Sequence, residues 1–270
     1  MVDLGIPAEW SGQSDLTLTR DEIDYARDHL GLDALPVVLG GTALHDSIDA
    51  RTSAMSTAAE TLARRELLVG GVLDPDLGTL LQVLTHPLWS LALRRSIDGT
   101  MTRWCVAEGE NLRIVASVAG ENIVLHTSTA EPAAIIADIF GPAEAMALAA
   151  FNAPTTELSA AFGAGPEIDQ LVGALERVGV GTPDSGRLGT ALLGCSAFAE
   201  LVGIARSPAL DPPGPVTVFD TRAGRLVGSS SAATDGTVWT SVSSGTPARL
   251  RQAVNSLVSS LVETVPLIRR

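Results

Sequence analysis

The order of hydrophobic and polar positions predicts helices followed by strands in the first half of the chain. Apolar residues recur at helical spacing over residues 20–30, 52–69 and 75–87. They then follow strand spacing over 88–95, 100–108, 111–118 and 123–127, with turn residues between. Thr19 with Glu22 predicts a capping box, Asp74 before Pro75 predicts a second helix start, and Thr129 is expected to cap a closing helix that ends near Phe140.

The second half repeats this plan. Helices are predicted over 154–162, 166–178 and 183–194, and strands over 198–205, 216–221, 225–232 and 237–242. Thr234–Asp235–Gly236 reads as a hairpin turn, and an amphipathic helix is predicted over 247–262. The first 15 residues read as an arm, 36–49 as a connection, and Pro208–Pro215 as a surface loop that the first half lacks.

Short segments of the first half return about 111 to 115 residues later, which indicates an internal duplication. Leu62–Ala63–Arg64 returns as Leu175–Glu176–Arg177, and Leu77–Gly78–Thr79 returns as Leu188–Gly189–Thr190. We therefore expect one domain over 1–270 with half-repeats at about 16–141 and 152–265. The predicted fold class is α+β, with antiparallel sheets flanked by helices in two quasi-repeated halves. Such half-sheets can pair edge to edge about a pseudo-two-fold axis, which would protect their edges.

Composition and charge narrow the function classes. The chain has 270 residues, is 46% hydrophobic and carries a net charge of −13; all 18 basic residues are arginine. This acidic balance argues against nucleic-acid binding, which needs basic patches. No apolar run reaches the length of a membrane helix, the N-terminus does not resemble a secretory signal, and two cysteines do not make a disulfide framework. We expect a cytoplasmic protein that does not insert into membranes.

The residues that could carry catalysis do not form a recognisable site. The four histidines are scattered without metal-ligand spacing, and no P-loop or dinucleotide fingerprint occurs. His126 is expected to be half-exposed on a strand, and Cys195 to be a packed thiol at the end of a helix. Asp235 reads as a turn residue. We therefore expect no enzyme, no cofactor and no metal.

Arg222 and Arg225 flank a predicted hairpin turn. Two interpretations are open: both are solvated surface arginines, or they form a pair of anchors for acidic groups on a partner.

The C-terminal third carries a motif of Gly224–Arg225, Asp235–Gly236, Trp239 and Gly245–Thr246, followed by an amphipathic helix from Arg249 through Leu257. This motif resembles that of the EspG family of ESX (type VII) secretion-associated chaperones. The N-terminal pattern is also similar, with an acidic helix up to Leu30–Gly31 and a Pro36–Leu39 segment. The resemblance covers nearly the whole chain and implies a duplicated α+β fold.

The resemblance also implies a non-enzymatic chaperone that binds the apolar tip of the PPE subunit in PE–PPE heterodimers and directs them to secretion. An exposed apolar tip needs an apolar surface with a polar rim to cover it. We expect this surface on the second half, on two strands and the last helix, at Val227, Ser229, Val238, Thr240, Arg249, Gln252 and Ala253. The turn Glu108–Asn111 is expected to be a mobile edge. The alternative is a self-associating scaffold or interaction module, with a possible homodimer when no client is bound.

Overall fold

The computed structural model describes residues 15–40, 45–206 and 213–263. Its contacts divide the chain into two compact units. Unit one holds the described residues up to Ala92 together with Thr102–Thr129, and unit two holds Leu93–Met101 together with the residues from Ala130 onward.

Unit one is an antiparallel sheet with three helices. The order along the chain is β1 (Leu16–Thr19), α1 (Arg20–Leu30), α2 (Ile48–Arg64), β2 (Leu68–Val69), β3 (Val72–Leu73), α3 (Pro75–Thr85), β4 (Trp89–Ile97), β5 (Thr100–Glu108), β6 (Arg113–Ala119) and β7 (Asn122–Thr127). Strands β4 and β5 divide between the two units. The pairing order β1-β7-β6-β5 is antiparallel throughout, and β2 and β3 form a separate hairpin.

The core of unit one is aliphatic. Leucines of α3 at positions 77, 81 and 84 pack with Leu18 of β1, Ile23 of α1 and Leu62 of α2, all almost fully buried. The capping box predicted for α1 is confirmed, because Thr19 and Glu22 each accept a hydrogen bond from the other's backbone N–H. Glu22 is only 2% exposed. Arg65, just after α2, donates to both carboxylate oxygens of Glu22 and also to the Thr17 carbonyl of β1, so an ion pair to a buried carboxylate joins three elements.

Unit two has a five-stranded antiparallel sheet. Its elements are α4 (Pro132–Phe140), β8 (Phe151–Pro154), α5 (Thr155–Phe162), α6 (Ile168–Arg177), α7 (Thr182–Leu193), β9 (Cys195–Ala205), β10 (Val216–Thr221), β11 (Gly224–Ala232), β12 (Val238–Ser244) and α8 (Pro247–Glu263). The strands pair in the order β9-β10-β11-β12-β8. The α+β class and the antiparallel sheets flanked by helices are therefore confirmed.

Helices cover both faces of this sheet. A Cβ on Gly203 of β9 would lie 2.9 Å from the Leu261 side chain and 3.0 Å from that of Leu257, so this side faces α8 and is called the α8 face. On the other side, Leu226 and Val242 pack with Leu158, Leu171 and Leu188 of α5, α6 and α7. We call this side the three-helix face.

Several sequence predictions need correction. Helix α2 ends at Arg64 instead of Val69, because Glu66 takes a positive φ of 60° and the chain turns into the β2–β3 hairpin. Thr129 does not cap α4; Glu131 is the N-cap residue and makes no side-chain cap bond. The short strands β1 and β8 were not predicted. The predicted arm lies outside the described residues except for Asp15, and so do residues 208–212 of the predicted surface loop. The pseudo-two-fold relation and the half-repeat boundaries stay predictions.

Candidate partner-binding surface

Arg225, the second residue of the Gly-Arg motif, belongs to a buried ion-pair network. Its side chain is 5% exposed and bonds both oxygens of Asp220, with Nε–Oδ1 at 2.5 Å and Nη2–Oδ2 at 3.1 Å. Arg95 binds the same carboxylate at 3.0 Å. Burial lowers the pKa of Arg95, and the Asp220 charge opposes that shift. Neither interpretation open at Arg225 is therefore correct, since it is neither solvated nor available to a partner.

The same two arginines close the C-terminal end of α4. Arg225 donates to the carbonyls of Phe140 and Gly141, and Arg95 donates to the carbonyl of Ile139. Both guanidinium groups lie over the Phe140 ring, with centroid distances of 5.2 and 5.3 Å. Cations at a helix C-terminus satisfy its last carbonyls and oppose the negative end of its dipole. The network therefore anchors α4 to the start of β11.

Two glycines of the motif are required by backbone crowding around Arg225. Gly224 has φ of 116°, and a Cβ there would lie 2.4 Å from the backbone nitrogen of Met146. That segment pairs with β11, because Arg225 N–H donates to the Glu144 carbonyl and Met146 N–H donates to the Arg225 carbonyl. A Cβ on Gly245 would lie 2.4 Å from Cγ of Arg225. These motif residues serve the fold.

The β11–β12 hairpin carries exposed apolar side chains. Asp235 accepts a hydrogen bond from the Thr237 backbone N–H at 2.9 Å, and Gly236 has φ of 82°, so the predicted turn is confirmed. Val238 and Trp239 follow this turn, and each is 41% exposed. The sequence motif contains Trp239, but its place on the surface was not predicted. An aromatic residue directly after a tight turn was the signal that could have found it.

The seven predicted partner-binding residues lie on different surfaces. Val227 and Ser229 point to the α8 face. Val238 and Thr240 of β12 pair with Ala232 and Ser230 of β11. Along β11, these two partners lie on the opposite side from Val227 and Ser229, so Val238 and Thr240 point to the three-helix face. The other three, Arg249, Gln252 and Ala253, are on α8.

The seven predicted partner-binding residues also differ in how much of each side chain is exposed. Val227 is 3% exposed, Thr240 is 7% exposed and Ala253 is 9% exposed. The Thr240 hydroxyl is engaged by Thr155 at 2.7 Å and by Ser230 at 2.8 Å, which fixes the start of α5 to the sheet. These three side chains are therefore packed inside unit two. Ser229 is half-buried, and Val238, Arg249 and Gln252 are exposed.

On α8, a stripe of buried side chains holds the exposed residues in place. Leu250, Val254, Leu257 and Leu261 are buried at helical spacing, as predicted for this amphipathic helix. Arg249 N–H donates to the Thr246 hydroxyl at 3.2 Å, so the second residue of the Gly-Thr pair caps the helix. Arg249 also donates to the Gln252 amide oxygen at 3.1 Å. Both side chains are therefore preorganised on the solvent side of a rigid helix.

The turn predicted to be mobile is packed in the structure. Arg113 Nε donates to Glu108 at 2.6 Å, and Gly109 N–H donates to the Leu112 carbonyl at 2.8 Å. A Cβ on Gly109 would lie 2.9 Å from the Val83 side chain of α3. Its mobility stays a prediction.

The histidine and cysteine side chains considered for catalysis are buried or half-buried on separate strands. His126 is 3% exposed, not half-exposed as predicted, and burial lowers its pKa. Burial raises the pKa of Cys105 to about 12 and also raises that of Cys195, which is the first residue of β9 instead of the end of a helix. Within the described ranges, no three His, Cys, Asp or Glu side chains are grouped so that they could hold a metal ion. None of the described helices combines the length and hydrophobicity that a membrane span requires.

Comparison with known proteins relates this arrangement to one family. No curated protein matches the chain. Among solved structures, the fold is similar to that of the Mycobacterium tuberculosis type VII secretion system chaperone EspG5, solved in complex with a PE25–PPE41 dimer. The match has a TM-score of 0.73 at 18% identity and covers 95% of this chain and 99% of that one. The family model described as "EspG family" matches residues 19–256. The chain therefore belongs to the EspG family.

Proposed function

We propose that this protein is a cytosolic, non-enzymatic chaperone of a type VII (ESX) secretion system. It binds the apolar tip of the PPE subunit in a PE–PPE heterodimer, keeps the pair soluble and directs it to secretion. The observation that carries the proposal is the family match over residues 19–256. The similar fold of EspG5, a type VII secretion chaperone solved with a PE–PPE dimer, supports the same assignment.

The accessible surface of unit two has the chemistry that such a client needs. Val238 and Trp239 leave apolar area exposed beside the polar turn at Asp235, and Ser229 adds a small polar side chain on the α8 face. Exposed Trp side chains flanked by polar groups are typical binding hot spots. We assign the client contacts to Val238, Trp239, Ser229, Arg249 and Gln252, with Val227, Thr240 and Ala253 as buried support.

Co-expression with PE–PPE pairs from the same genome, followed by size-exclusion chromatography with mass measurement, tests the function. We expect a one-to-one-to-one complex with at least one pair. A discrete homodimer that binds no PE–PPE pair would contradict the chaperone function and favour the self-associating scaffold.

The surface is tested with variants of the protein that forms this complex. Trp239→Ala should weaken client binding by roughly thirtyfold, because losing a hot-spot aromatic costs about 2 kcal/mol. Val238→Glu should also weaken it, since a carboxylate would be buried against an apolar tip. The matched control is Val72→Glu, at a 67% exposed valine on the β2–β3 hairpin of unit one. Equal loss in the control, or none in the two test variants, would remove these residues from the surface.

A further inference from the structure

Unit two also has a concave surface that does not include the exposed hairpin. It is a cavity of about 690 Å³ beside α7. Met146 and Ala191, both buried, belong to its apolar lining, and Gly186 and Thr190 of α7 form a wall of small side chains. Its volume lies within the range of roughly 300–1,000 Å³ that is usual for ligand sites.

Two arginines line this cavity, and none of the side chains that line it is acidic. Arg187 of α7 is paired with Asp184 one turn earlier, and that pair occupies only part of its five N–H donors. Arg222 is exposed in the β10–β11 turn and makes no ion pair with any described residue. In a chain with net charge −13, this is a local concentration of cationic donors next to apolar surface.

The turn that carries Arg222 is held in one conformation. The Thr221 hydroxyl donates to the Gly224 carbonyl at 2.8 Å and accepts from the Ala223 N–H at 3.1 Å. Met146, which also lines the cavity, is fixed by its N–H bond to the Arg225 carbonyl at 3.0 Å. Arg222 therefore starts from a rigid backbone, which lowers the entropy lost when its side chain binds.

We propose that this cavity binds a carboxylate-bearing peptide segment of a partner protein, with an apolar side chain against Met146 and Ala191 and an Asp or Glu between Arg187 and Arg222. Arginine forms paired hydrogen bonds with carboxylates, so the two guanidinium groups select an acidic residue. A phosphate ion would use only the arginines and leave the apolar lining exposed to water. The peptide uses both parts of the site. This surface stands apart from the client surface at Val238 and Trp239.

A displayed library of random dodecapeptides, selected on the purified full chain, tests the proposal without knowledge of the partner. Selected peptides should be enriched in Asp or Glu next to a large apolar residue. The best peptide and its Glu→Gln (or Asp→Asn) version are then compared by calorimetry. Loss of one charge-assisted pair should weaken binding by about tenfold.

Three variants locate the site. Arg222→Glu should weaken binding of the acidic peptide by more than tenfold, since the carboxylates repel each other. Gly186→Leu should also abolish binding without harming the fold, because a Cβ there meets nothing within 4 Å and leucine favours helix. Arg251→Glu is the charge-matched control at an exposed arginine of α8, outside the cavity, and should bind like the unmodified protein.

Each other result counts against the proposal. Selection without acidic enrichment, equal affinity for the acidic and amide peptides, or unchanged binding by the Arg222 and Gly186 variants would overturn it. Full displacement of the peptide by inorganic phosphate would assign the cavity to an anion instead. Failure of the PE–PPE complex to form would contradict the proposed function but not this one, because the peptide experiments do not use that complex.

Discussion

Truncation of Arg225 gives the most direct test of the buried network. Arg225→Ala removes both bonds to Asp220, both bonds to the carbonyls of Phe140 and Gly141, and the contact with the Phe140 ring. Removing one member of a buried ion pair typically costs 3–5 kcal/mol, because the remaining charge stays buried. Asp220 keeps Arg95 as a partner, so we expect the lower end, a loss of about 3 kcal/mol in the free energy of unfolding.

The assay is urea denaturation followed by far-ultraviolet circular dichroism. With a slope of about 2 kcal/mol per M, a loss of 3 kcal/mol lowers the midpoint by about 1.5 M. Arg225→Lys keeps the charge but cannot donate to four acceptors in one plane, so its urea midpoint should lie between those of the unmodified protein and Arg225→Ala. Arg222→Ala, three residues earlier and exposed, is the control and should change stability by less than about 0.5 kcal/mol. The reasoning would be refuted if Arg225→Ala were as mild as this control.

Three further predictions concern burial. Burial holds the pKa of His126 in the folded protein below its unfolded value of 6.5. The stability that comes from the neutral imidazole is therefore fully present above about pH 6.5 and is lost as the pH falls through the folded pKa. His126→Gln should remove this part of the acid dependence of the urea midpoint. Native iodoacetamide labelling, mapped by mass spectrometry, should modify half-buried Cys195 and spare Cys105, whose pKa is about 12; modification of both at equal rates would contradict this. Gly203→Val should cost about 1–3 kcal/mol by overpacking against α8, whereas Gly173→Ala, in open space on α6, should leave thermal stability unchanged or raise it.

The elements with strong local signals could be predicted from the sequence. Thr100–Glu108 and Val216–Thr221 are strands with the predicted bounds, because turn residues delimit each alternating run. Strands β1 and β8 were missed because four residues are too few to establish an alternation, and sheet pairing defines both. The end of α2 depends on a positive φ at Glu66, a residue type that gives no such signal.

The candidate surface was less predictable than the fold. The apolar stripe of α8 determines which of its residues are exposed, so Arg249 and Gln252 could be placed correctly on the solvent side. Strand residues were harder, because register decides the face. Val227 and Val238 look alike in sequence, but the pairing of β11 with β12 turns them to opposite sides of the sheet. The role of Arg225 could not be predicted, since its partners Phe140 and Gly141 lie 84 or more residues away in sequence.

The crowding around Arg225 has an evolutionary consequence. Gly224 and Gly245 admit no side chain because backbone or the Arg225 side chain lies where a Cβ would be, whatever protein is bound. Selection on these positions therefore acts through folding, and a sequence signature built on them will gather chains that share the architecture without sorting them by client. Divergence in client choice should instead accumulate at positions such as Val238 and Trp239, where no neighbour in the core restricts the side chain.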